Sequence, residues 1–139
     1  MEGVYCFVGL RITGENLNFG LISRVLDLNP TSCTKKGQPA MPGSRRTAVA
    51  DVWTFEVDAD GASLEDLLTR LEDELGGRAD SIRRLPAEYN ASVWCSYSTD
   101  LAQGGFDLSP ANLAFLSRMG IPCTVSILSG GEVEGSEEN

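Results

Sequence analysis

Histidine is absent from the 139 residues. That removes the commonest general base and half of every Ser–His or Cys–His arrangement. Carboxylates alone could still catalyse, but no pattern in the sequence asks for it, and the chain reads as a protein that is not an enzyme. The four cysteines, at positions 6, 33, 95 and 123, form no CxxC pair. With no imidazole to complete a set, neither a zinc site nor any other metal or cofactor is expected. No apolar run approaches the roughly 18 residues of a membrane span. The N-terminus passes from Met-Glu-Gly directly into Val4–Leu10, without a basic stretch or a small-residue cleavage site. It therefore reads as a strand and not as a signal peptide, and a cytoplasmic protein is expected. There is no GxxxxGK[ST] loop for nucleotide phosphates.

Positive charge is also scarce: 11 Lys and Arg against 20 Asp and Glu, a net charge of −9. An excess of that sign speaks against nucleic acid as a partner and against an electrostatic membrane role. The distribution is uneven. Residues 29–50 hold four bases and no acid, whereas 51–129 hold thirteen acids and five bases, and 130–139 add four more glutamates. The last segment has the composition of a solvated acidic tail. Residues 1–129, with an ordinary globular hydrophobic content, form one domain.

The remaining residues are strongly patterned. Val4–Thr13 alternates, with Cys6, Val8, Leu10 and Ile12 on one face and Tyr5, Phe7, Gly9 and Arg11 on the other, which predicts a strand. Asn18 caps a helix with Leu21, Ile22, Val25 and Leu26 as its buried stripe, stopped at Asn29-Pro30. Residues 31–47 read as a loop. Ala48–Asp58 is a second strand, with Val49, Trp53, Phe55 and Val57 on one side. Ser63, with Asp66 three residues on, opens a helix whose stripe is Leu64, Leu67, Leu68, Leu71 and Leu75. After Gly76-Gly77, the positions Ala79, Ile82 and Leu85 continue it as a short helix. Ala91–Thr99 is a third strand. Ser109-Pro110 opens a helix carrying Leu113, Leu116 and Met119 and ending at Gly120. Ile121–Leu128 is the last strand, with Cys123, Val125 and Ile127 aligned.

The expected order is β-α-β-α-β-α-β. Strands that alternate, instead of running continuously apolar, need cover on one face only. The expectation is an α+β two-layer sandwich, a four-stranded sheet with its helices packed on one face, in preference to a doubly wound parallel fold. Within it Cys6, Cys95 and Cys123 would be reduced core thiols.

Several pieces resemble the family called domain of unknown function 4279. They are the opening strand with Gly14-Glu-Asn-Leu-Asn18, then Leu28-Asn-Pro-Thr31 leading into Lys35-Lys36-Gly37, then Trp53, and finally Gly105-Phe-Asp-Leu-Ser-Pro110 with its helix and last strand. The resemblance runs over about residues 4 to 128 and implies a fold but no activity.

Three features could carry function. Lys35, Lys36, Arg45 and Arg46 lie in the acid-free loop and suit an anionic, phosphate-bearing ligand or an acidic protein patch. Tyr5, Phe7 and Trp94 point away from the helices among Gly9, Ser96, Thr124 and Ser126, a platform for a protein partner or a homodimer. The loop 31–47 could instead fold over them. Glu72-Asp73-Glu74 fan around a helix and do not converge, so they read as a solvated face. Cys33, beside two lysines, is the cysteine outside a strand pattern and the candidate reactive thiol. The reading these support is a non-catalytic binding protein acting through protein–protein contact, of the immunity or inhibitor kind, directed at a basic partner. The alternative is a binder that sequesters an anionic small molecule with the basic loop 35–46.

Overall fold

The computed structural model describes residues 3–40 and 43–130; the expected tail falls outside them except for Gly130. Among these residues, five strands and four helices occur in the order β1 (Val4–Gly14), α1 (Phe19–Leu26), β2 (Ser32–Thr34), β3 (Asp51–Val57), α2 (Leu64–Leu75), α3 (Ala79–Arg83), β4 (Asn90–Thr99), α4 (Pro110–Met119) and β5 (Cys123–Ser129). The sheet runs β2-β3-β1-β4-β5. Every pairing is antiparallel except β4 with β5, which are parallel and joined through α4.

The α+β class stands, but the expected four-stranded sheet and its β-α-β-α-β-α-β order do not. The sheet is mixed and has five strands. The additional one, β2, lies in the stretch read as loop. Three residues, Ser-Cys-Thr, are too few to show an alternation; they are extended because β3 offers them its free edge, Cys33 lying opposite Trp53. The strand expected from Ala48 begins at Asp51, and Val49 is 86% exposed and takes no part in the Trp53 face.

The helix starts form as the sequence dictates. The Asn18, Ser63 and Ser109 side chains accept from the backbone N–H groups of Leu21, Asp66 and Asn112 at 3.0–3.1 Å. Each satisfies a donor that the first helical turn leaves free. Helix ends are served differently. Asp27 takes the left-handed C-cap position of α1 with φ 54°. The Arg78 guanidinium then donates to the Leu26 carbonyl at 2.6 Å and to the Glu74 carbonyl at 2.9 Å. One side chain thereby satisfies the open ends of both α1 and α2.

Buried Val8, Leu10 and Ile12 of β1, Trp53 of β3 and Val93 of β4 form a single core with Ile22 and Leu26 of α1 and the leucine stripe of α2. Trp53 is fully buried, and its indole N–H donates to Ser23 Oγ at 3.2 Å. The last helix sits in a different phase from the expected one. Asn112, Phe115 and Met119 are buried, because the Asn112 amide donates to the Glu65 carbonyl, and Leu113 is exposed. The core also stops short of β5. Val125 and Ile127 lie opposite Cys95 and Tyr97, so they share the parity of the buried face, yet they are 38% and 63% exposed. Cys123, expected in the core, is exposed as well.

Candidate functional site

The antiparallel registers Tyr5↔Ser98, Phe7↔Ser96, Gly9↔Trp94 and Arg11↔Ser92 set the side chains of these residues on the face opposite the core. The three aromatics singled out from the sequence therefore do share one surface. Tyr5 and Phe7 lie 6.2 Å apart between ring centroids. Tyr5 is 49% exposed, and Phe7 and Trp94 are half-buried, so the described part of the loop 31–47 does not enclose them. Part of the cover on Trp94 comes from Arg11, whose guanidinium carbon stands 4.4 Å from the ring centroid. Gly9 lies between the Tyr5–Phe7 pair and Arg11, where a Cβ would meet the Phe55 carbonyl oxygen at 2.5 Å. Only glycine permits that approach of β1 to β3, and it leaves a flat step beside Trp94.

This face is bordered by acid. The Tyr5 hydroxyl donates to Asp58 Oδ2 at 2.8 Å. That bond, followed by desolvation and the charges of Asp58, Glu56 and Asp60, raises the phenol above its ordinary value. Asp58, Glu56, Asp73 and Glu74 line a small open groove of about 350 Å³, with Arg70 the one base in it. Partial desolvation pushes the Glu56 carboxyl up, reinforced by Asp58 and opposed by Arg11. The acidic triplet of α2 thus divides as its helical spacing requires. Asp73 and Glu74 face this groove, while Glu72 pairs with Arg118 of α4.

The basic loop is organised otherwise. Lys35 Nζ lies 3.6 Å from Asp51 Oδ2 and 5.0 Å from the Phe19 ring centroid, and Lys36 Nζ lies 3.8 Å from Glu15. The structure ties these two lysines to carboxylates of the chain itself. Arg45 and Arg46 are exposed near the Pro39–Thr47 bridge, and among the described residues neither makes an ion pair.

Asp51, which the sequence reading passed over, is the anchor of this region. Its buried carboxylate accepts the Lys36 backbone N–H at 2.8 Å and the Leu17 backbone N–H at 3.0 Å. Those bonds, the one from Lys36 foremost, hold the carboxyl below the usual range against the effect of burial, with help from the Lys35 charge. The signal was faint: one aspartate at the start of a strand, with partners 34 and 15 residues away.

All four cysteines are free thiols. Cys33 is exposed on β2, but burial pushes its thiol up, which is the wrong direction for a nucleophile. Cys123 is the more activated one. The sulfurs of Cys95 and Cys123 are 3.8 Å apart; a bond from the Cys95 thiol lowers Cys123 to about 7, and Cys95 is raised in turn.

Among the described residues, no group of three or more Cys, Asp and Glu side chains is placed to hold a metal ion, and no helix is long and apolar enough to cross a membrane. No curated protein and no solved structure matches the chain. Residues 4–130 match the model of one family, described as a domain of unknown function, DUF4279. The match takes in all five strands and all four helices, and the chain belongs to that family.

Proposed function

We propose that the protein is a non-catalytic binding protein that acts through protein–protein contact, with the open sheet face as its docking surface. One observation carries the reading: the Tyr5–Asp58 hydrogen bond joins an aromatic face to an acidic groove. Tyr5, Phe7 and Trp94 offer large, rigid, amphipathic contact area, the composition typical of binding hot spots. Glu56, Asp58, Asp73 and Glu74 beside them suit Lys and Arg side chains, and a net charge of −9 accelerates encounter with a basic protein. A basic enzyme or toxin held in check by an immunity or inhibitor-type protein fits this chemistry.

The reading in which Lys35, Lys36, Arg45 and Arg46 sequester an anionic small molecule has less support. Two of the four bases already serve Asp51 and Glu15. The test is quantitative capture of the partner from the host by immobilised wild type, Trp94→Ala and Asp58→Lys. Both variants lose at least about tenfold in retained partner, since each removes a central contact or reverses its charge. Undiminished capture by Trp94→Ala overturns the proposal.

A further inference from the structure

Seven large hydrophobic side chains are exposed among the described residues. Three of them, Val125, Ile127 and Leu128, are on β5, and a fourth, Leu101, adjoins it through a bond from Ser129 Oγ to its carbonyl at 2.7 Å. β5 is also the sheet's edge, so among the described residues one row of its backbone N–H and C=O groups has no strand beside it. Long apolar edges of this kind are templates for another strand, and natural proteins usually blunt them with charge, proline or a bulge. Here the reverse holds: from Met119 to Gly131 no residue is charged, on a chain of net charge −9.

We propose that β5 pairs antiparallel with β5 of a second copy of this chain, about a two-fold axis through Ser126, joining two five-stranded sheets into one of ten strands. This surface is separate from the aromatic face, and the inference does not depend on that reading. Two features select a second copy as the occupant. The first is self-complementarity. A two-fold perpendicular to the sheet keeps each side chain on its own face. Centred on Ser126 it sets Val125 opposite Ile127 twice over, so the two uncovered core-parity side chains cover each other.

The second is the absence of charge, which lets two acidic copies meet along this strand without like charges facing across it.

The full chain is examined by sedimentation over a concentration series, together with Ile127→Lys and Ser126→Cys. Wild type forms a dimer. Ile127→Lys, whose side chain is exposed in the single copy and so leaves the fold intact by circular dichroism, weakens self-association at least about 100-fold by burying two unpaired ammoniums. Ser126→Cys cross-links under mild oxidation, because residues directly opposite in an antiparallel pair come within disulfide reach. Wild type does not cross-link through this strand, its Cys123 lying opposite Ser129. A chain that stays monomeric throughout leaves β5 to another partner and overturns the proposal. A dimer indifferent to Ile127→Lys, or one in which Ser126→Cys fails to cross-link, overturns it also.

Discussion

The two edges of this sheet are built in opposite ways. β2 is three residues long, is followed directly by Lys35 and Lys36, and is pinned by the backbone bond from Lys36 to Asp51. β5 is seven residues long, carries no charge, and shows apolar side chains on both of its faces. The first edge is short and runs directly into its basic loop. Among the described residues, the second is held by β4 and a few bonds from its end, such as Gly130 N–H to the Thr99 carbonyl at 2.8 Å. Since an open edge invites pairing, the difference divides the molecule into a side spent on stability and a side available for contact.

The sharpest way to break that division is to truncate one large side chain on each side. Trp53→Ala, beside β2, costs about 3–5 kcal/mol in urea unfolding, because a fully buried indole leaves a cavity and an unpaired Ser23 hydroxyl. Ile127→Ala, measured at a concentration low enough for single copies, changes stability by less than about 0.5 kcal/mol. Equal costs would show that β5 is part of the core after all.

Next in size is the loss of Arg78, which ties the closed side together. Arg78→Ala lowers stability by about 2 kcal/mol, since carbonyls at the ends of two helices lose a charged donor. Arg78→Lys recovers only part of it, one ammonium being unable to reach both ends.

The two exposed cysteines sharpen the comparison further, one lying on each edge strand. Burial pushes the Cys33 thiol up, while Cys123 is lowered to about 7 by its bond from Cys95. At neutral pH Cys123 therefore alkylates at least about tenfold faster than Cys33, as peptide mapping after a brief iodoacetamide pulse reads directly. Cys95→Ala removes the donor beside Cys123 and narrows the ratio; faster labelling at Cys33 would reverse the account of both edges.

The smallest effect concerns the β2 latch and depends on pH. The Asp51 carboxyl is depressed in the folded state, so its stabilisation is complete well above the unfolded aspartate value of about 3.9 and is lost as pH falls through the lower folded value. Wild type and Asp51→Asn should differ most at neutral pH and converge as pH falls below the depressed folded value. A difference that grows with acidity would have the wrong sign for this latch.

Local rules carried much of the fold. The alternation of Cys6, Val8, Leu10 and Ile12 fixed a face, and Asn18, Ser63 and Ser109 marked three helix starts that form as caps. What escaped was not local. β2 exists because β3 has a free edge, not because Ser-Cys-Thr prefers to be extended. Alternation also gives parity without coverage. Val125 and Ile127 have the parity of core residues, yet both are exposed, as is Cys123 beside them.

The candidate site divides in the same way. Tyr5, Phe7 and Trp94 could be set on one face by period-two counting alone. The acidic groove could not, because Asp58 and Asp73 belong to different elements that only the packing of α2 near the end of β3 brings together. The partners of the basic loop were hidden in the same way: composition showed four bases in an acid-free stretch, while Glu15 and Asp51, which pair with Lys36 and Lys35, belong to other elements.

The most direct test of the open face as a protein-binding surface is a native mass spectrum of wild type and Trp94→Ala, each purified gently from the host. The account predicts a basic polypeptide bound to the wild type and missing from the variant. Added mass of a few hundred daltons, released on denaturation and identical in both proteins, would contradict it and return attention to Lys35–Arg46.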